Sequence, residues 1–138
     1  VWGSLDISVS GMVAQRTRHA AIAANLANSE TLLNARGEYD PYRRREVMFA
    51  PGDPSSPTRE GRALGVHVER IHVNEDALRA RYDPTSPFAD ERGMVMVPDI
   101  SPAFETINSM QAVRAYEANV AAAEVTKQMM AQALRLLA

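Results

Sequence analysis

Apolar residues follow a helical period at both ends of the chain and a two-residue period in its middle. From Leu5 to Ala27, β-branched residues are few and alanines frequent, a composition that favours helix. On a helical wheel Leu5, Val9, Met12, Ala20, Ile22, Ala23, Leu26 and Ala27 share one half, with Asp6, Thr17, Arg18, Asn25 and Asn28 on the other. The pattern predicts one amphipathic helix, capped at its start by Ser8 or Ser10 and stopped at Asn28-Ser29. Arg16 and His19 interrupt the apolar face, which suits a helix with several packing neighbours better than an isolated one.

A second helix is predicted from Ala103 to Ala138, about 54 Å long if continuous. Ser101 stands where an N-cap is needed and Pro102 where a first-turn proline is tolerated. Phe104, Ile107, Met110, Val113 and Tyr116 step by three, a stripe that drifts around the axis. From Val113, the series Tyr116, Val120, Ala123, Lys127, Met130, Leu134 and Leu137 alternates steps of three and four, the spacing of a coiled-coil seam. Its most economical partner is the N-terminal helix, an arrangement that brings both termini to one end. The shorter helix leaves apolar surface over for another element or subunit. In Arg114-Ala-Tyr-Glu-Ala-Asn119, Arg114 and Glu117 have ion-pair spacing, and Asn119 borders the seam, where an amide can specify register.

Between the helices, Gly65 to Val73 alternates apolar and polar positions, and Glu46–Phe49, Leu78–Tyr82 and Met94–Val97 are shorter strand-like runs. Residues 51–57 and 83–87 read as loops. The expected fold is α+β: residues 1–35 and 99–138 form a coiled-coil-like helical domain, and 36–98 a small β-rich domain of three or four strands inserted between them.

Composition sharpens this division. Seven of the eight prolines, five of the seven glycines and 21 of the 32 charged residues lie within 36–98. Only 6% of residues are aromatic, so a core built from the remaining alanine-rich apolar content is thin. A formal net charge of −2 argues against a dedicated nucleic-acid binder. With no cysteine, disulfides, thiolate metal sites and cysteine nucleophiles are excluded. No run reaches the roughly 20 apolar residues of a membrane span, and the first residues lack the pattern of a cleavable signal.

Candidate chemistry is sparse. His67, Glu69 and His72 have metal-ligand side chains, but in a strand His72 points away from the other two, and a bulge is needed to bring them together. No serine sits in a nucleophile elbow, and neither a P-loop nor a dinucleotide glycine pattern occurs. Arg43, Arg44 and Arg45 beside Tyr42 and Phe49 are the best nucleic-acid candidates, yet Glu38, Asp40 and Glu46 offset them locally, favouring a solvated or inter-subunit charged edge. Catalytic residues, cofactors and metals are therefore not expected.

Four segments, in order, resemble the bacterial flagellar basal-body rod proteins, in particular those of the proximal rod. They are Leu5 to Arg18 leading into Ile22-Ala-Ala-Asn-Leu-Ala-Asn28, with its paired Asn25 and Asn28; Pro41-Tyr-Arg-Arg-Arg-Glu-Val-Met-Phe49; Tyr82 to Pro98; and Met110-Gln-Ala-Val-Arg-Ala-Tyr-Glu-Ala-Asn-Val120. Two departures are Ser29-Glu-Thr-Leu-Leu in place of a Thr-rich turn, and Asp99 where asparagine is common. The resemblance implies terminal helices packed in the inner layer of a tubular rod with the β insertion outside. It also implies export through the flagellar type III apparatus with the N-terminus uncleaved, assembly in the periplasm, and a drive-shaft role. The implied partners are other rod subunits and the junction with the rod base and export gate, without nucleic acid or membrane insertion. Helix-packing roles fall to Leu5, Val9, Met12, Ile22, Asn25, Leu26 and Asn28 at one end of the chain. At the other they fall to Phe104, Ile107, Met110, Val113, Arg114, Tyr116, Asn119, Val120, Met130, Leu134 and Leu137. The rival reading is a soluble helical adaptor whose two helices pair only within the molecule.

Overall fold

The computed structural model describes residues 2–138. Helix α1 spans Trp2–Ala27, strand β1 Arg45–Pro51, helix α2 Arg59–Leu64, strands β2 Val66–Val73, β3 Leu78–Tyr82 and β4 Met94–Pro98, and helix α3 Pro102–Leu137. The α+β arrangement expected from the sequence is present, with helices at the ends and strands between. The strands form two separate antiparallel ribbons, β1–β2 and β3–β4, rather than one small unit. Each ribbon is anchored on something different. Ser10 of α1 accepts the Val66 N–H at 3.1 Å, which ties β2 to α1. The β3–β4 ribbon rests instead on the turn after α1: Tyr39 stacks on Phe88 at 4.8 Å, its hydroxyl donates to the Met96 carbonyl at 2.6 Å, and Arg81 pairs with Glu30 at 2.6 Å.

Two local expectations are corrected. Ser8 and Ser10 do not cap α1, which begins at Trp2; both are buried in its interior, where Ser10 Oγ donates to the Ile7 carbonyl at 2.7 Å. The short helix α2 was hidden in a turn-rich stretch. Thr58 is its N-cap, accepting the Gly61 N–H at 3.1 Å, and Gly52 takes the φ of +82° that brings its own N–H to the Gly65 carbonyl at 2.6 Å. At the other long helix Ser101 does cap, its hydroxyl facing the Phe104 N–H at 3.5 Å, with Pro102 in the first turn.

Helices α1 and α3 pack antiparallel. Asn25 meets Glu105, Arg18 meets Gln111 and Gly11 abuts Asn119, pairs whose residue numbers add to 129 or 130. That constant register sets Trp2, the first described residue, level with about residue 128, near the end of α3. Both helix ends lie together there, as expected.

The facing surfaces are not the ones the wheel predicts. In α1 the buried residues are Gly3, Ser8, Ser10, Gly11, Ala14, Ala21, Ile22 and Asn25, while Val9, Ala20, Ala23 and Ala27 are exposed. In α3 the buried or half-buried column is Glu105, Ala112, Asn119 and Thr126, beside Ser109, Ala123 and Met130. Of the expected seam Ala123 is buried and Val120 and Met130 are half-buried, whereas Val113, Tyr116, Lys127, Leu134 and Leu137 are exposed and Ala112, Asn119 and Thr126 stand inward in their place. Small residues decide this, because they let two backbones approach closely. A Cβ on Gly11 would lie 2.5 Å from Asn119 Oδ1. Gly11→Val is expected to lower stability by about 1–3 kcal/mol through overpacking, against little change for Ala20→Val on the exposed side, in paired thermal melts.

Such packing leaves a small core. The largest fully buried side chains are Val95, Val97, Asn25 and Pro98, with no large aliphatic or aromatic residue among them. The chain exposes 9271 Å², whereas a compact monomer of its mass exposes about 7,100 Å².

Candidate assembly surface

One polar node locks the flush end of the helix pair. Asn25, only 1% exposed, accepts the Arg45 N–H at 2.9 Å and the Tyr42 hydroxyl at 3.0 Å through Oδ1, and donates from Nδ2 to the Arg45 carbonyl at 2.9 Å and to Glu105 at 3.4 Å. A single amide thereby caps the start of β1 as a neighbouring strand would and joins it to both long helices. Three residues on, Asn28 Nδ2 donates to the Ala24 carbonyl at 2.9 Å and its Oδ1 accepts from Thr31 at 3.1 Å, which ends α1 and turns the chain. The paired asparagines are structural, one for docking and one for termination.

Burial pushes the Tyr42 phenol above its ordinary 10.0; Arg45 opposes the shift and Glu105 adds to it. Tyr42 thus holds its proton more tightly folded than unfolded. Its contribution to stability is complete below about pH 10 and is lost as the pH rises toward the folded value. Tyr42→Phe is expected to cost about 1 kcal/mol near neutrality and to shrink the alkaline loss, as denaturant titrations at pH 8 and 11 will show.

Outside the node, many of the large apolar side chains of the two helices are exposed. Phe104, Ile107, Met110, Val113, Tyr116, Val125 and Met129 of α3 are exposed, as are Trp2, Val9 and Val13 of α1. In the last turn of α3, Leu134, Leu136 and Leu137 are bare, Leu136 at 89%. Of the residues assigned to packing from sequence, Ile22 and Asn25 are buried within the chain; Leu5, Met12, Leu26, Asn28, Asn119, Val120 and Met130 are half-buried. Val9, Phe104, Ile107, Met110, Val113, Arg114, Tyr116, Leu134 and Leu137 face outward. Sequence reasoning missed Gly11, Ala14, Ala112 and Glu105 on the inside and Val13, Val125 and Met129 on the outside. The available signal was the recurrence of small residues at spacings of three and four, which a search for large apolar residues passes over.

The remaining candidate chemistry disperses. A bulge at Glu69 does occur, since Met48 pairs with Arg70 and Phe49 with Val68. His67 nonetheless turns its Nδ1 to the Gly52 carbonyl at 2.6 Å, and among the described residues no His, Asp and Glu group able to hold a metal is found. Arg43 is engaged by Asp40 and Glu75, Arg44 by Glu46, and Arg45 lies over the Tyr42 ring at 5.5 Å. Arg114 and Glu117 form no ion pair among the described residues.

The antiparallel pair is thus lined by small residues, with much of its apolar bulk on the outside. Residues 5–31 match the flagella basal body rod protein family, and residues 91–136 match the C-terminal family of flagellar basal body rod FlgEFG proteins. The chain is 36% identical to the flagellar basal-body rod protein FlgC of Bacillus subtilis, over 96% of this chain and 95% of that one. The chain belongs to the flagellar basal-body rod protein family. FlgC of Aquifex aeolicus is 37% identical over 93% of this rod protein and 90% of its own length, and FlgC of Salmonella typhimurium 33% over 95% and 93%. The two family matches cover α1 with its terminating turn and nearly all of α3, the elements that build the outward face of this rod protein.

Proposed function

We propose that this chain, a structural subunit of the flagellar basal-body rod, joins its neighbours through the outward apolar faces of α1 and α3 and transmits torque as part of the proximal rod. The observation carrying this reading is the inversion of the helix pair, in which small residues fill the intramolecular seam and Met110, Val113, Val125 and Met129 stand in water. Apolar surface of that extent is unfavourable in an isolated molecule and favourable once covered by a neighbouring helix. Contacts of this head-to-tail kind need not close and so propagate as a helical assembly. Residues 36–98 form the insertion on the outside of that layer. Before assembly the subunit passes through the flagellar type III export apparatus with its N-terminus uncleaved, to be built into the rod in the periplasm. No helix among the described residues is long and apolar enough to cross a membrane.

Uncovered, the outward faces leave the ends of the helices weakly held, because helices draw most of their stability from packing. Circular dichroism of the dilute chain is expected to show fewer helical residues than the 26 and 36 of α1 and α3, with helicity rising on addition of other rod subunits. Full helicity in a dilute monomer, unchanged by partners, would instead support the self-contained adaptor.

A further inference from the structure

Between α1, β2 and the loop before α2 runs a groove of about 390 Å³. Val9 and Val13 of α1, both exposed, line it from the helix, and Val66 and Val68, both half-buried, line it from the strand. Asp6 of α1 and Asp53 of the loop add two half-buried carboxylates. Their side-chain donors are neutral: Ser56 Oγ for Asp6 at 3.5 Å and Ser55 Oγ for Asp53 at 2.6 Å. Among the described residues neither carboxylate is in an ion pair. His67, the remaining titratable group in the groove, has its Nδ1 on the Gly52 carbonyl at 2.6 Å. An apolar trough with unmatched negative charge fits an apolar helix face that carries a cation.

The chain itself carries such a face. Along α3, Ile107, Met110, Arg114, Ala118, Ala121 and Val125 follow steps of three and four, which puts them on one side of the helix. All six are exposed. Arg114 is the one charge among them, and it makes no ion pair among the described residues. The two alanines beside it let a second backbone come close. A guanidinium is also the cation best shaped to bridge carboxylates.

We propose that the groove between α1 and β2 receives this face of α3 from a second copy of the chain. Arg114 of one copy pairs with Asp6 and Asp53 of the other, and Ile107, Met110 and Val125 cover Val9 and Val13. The inference rests on the rod reading and specifies one joint within it. Groove and face are different surfaces of the molecule, so the contact runs head to tail and leaves each subunit a free groove or a free face for the next. The charges make the joint selective, because a helix face without the cation desolvates two carboxylates and leaves them unpaired.

The test places a photocrosslinking amino acid at Val13 in cells and maps the crosslinked peptides in purified basal bodies. The expected product joins position 13 to residues 107–125 of a second copy. Asp6→Arg and Arg114→Asp are each expected to lower its yield roughly fivefold or more, and the two together to restore about half of it, since the exchange rebuilds the ion pair. Crosslinks to another segment or to a different protein overturn the proposal. So do wild-type yields from the single variants, or a double variant that recovers nothing. If a variant loses helix by circular dichroism, the crosslink map in the otherwise unaltered chain decides alone. Absence of the unaltered chain from basal bodies would defeat the rod reading itself, whereas its presence with a crosslink elsewhere defeats only this joint.

Discussion

Asn25→Asp is expected to lower the stability of the folded chain by about 3–5 kcal/mol at pH 7, the scale of an uncompensated buried charge. The substitution is nearly isosteric, so the effect isolates charge and hydrogen bonding. It removes the Nδ2 donor that serves the Arg45 carbonyl and Glu105, and it sets a second carboxylate beside Glu105 in a site 1% exposed. Desolvation and the neighbouring acid both raise the folded-state pKa of the new aspartate. Its penalty is therefore absent below the unfolded value of about 3.9 and grows as the pH rises above it. Denaturant titrations of the variant and wild type should diverge from pH 4 to pH 7. A constant gap across that range would show that the lost Nδ2 hydrogen bonds, and not a buried charge, set the cost.

Met110→Asp with Val125→Asp is expected to abolish rod assembly and motility while the isolated chain changes stability by no more than about 1 kcal/mol. Both positions lie opposite the intramolecular seam, 51% and 54% exposed, so neither charge is buried in the monomer. In an assembled layer each aspartate has to be desolvated against an apolar neighbour, at about 2 kcal/mol or more apiece without a partner. Motility plates and basal-body preparations from a complemented strain give the assembly result, and melting of the purified variant gives the stability result. Loss of both together would place these side chains inside the monomer's own packing. Normal motility would remove them from any interface.

The two long helices and the strand positions were legible because each rests on local signals: alanine-rich periodicity, alternation at Val66–Val73, and Ser101-Pro102 at a helix start. Which face of each helix turns inward was not. The wheel assigns the interior to large apolar residues, a rule that holds when one chain buries its own core. Here Gly11, Ala14, Ala21 and Ala112 form the seam because close backbone approach is available only to small side chains, and the larger residues remain outside. Asn25 stands on the polar half of the wheel yet is the most enclosed side chain of α1, since its four hydrogen bonds come from β1, Tyr42 and α3, elements distant in sequence. Glu105 escaped notice for the same reason. Resemblance carried the family without periodicity, because the motifs around Asn25, Asn28 and Asn119 are particular to it.

That the outward apolar face is the inter-subunit surface is tested most directly by cysteine labelling, since the chain has no cysteine of its own. Single cysteines at Val9, Met110 and Met129, all exposed in the chain alone, can be probed with a maleimide in the free subunit and in purified basal bodies, with a cysteine at the exposed Arg92 as control. The inverted helix pair predicts at least tenfold slower labelling at the three helix positions on assembly. Equal labelling rates at those positions in free and assembled protein would contradict it.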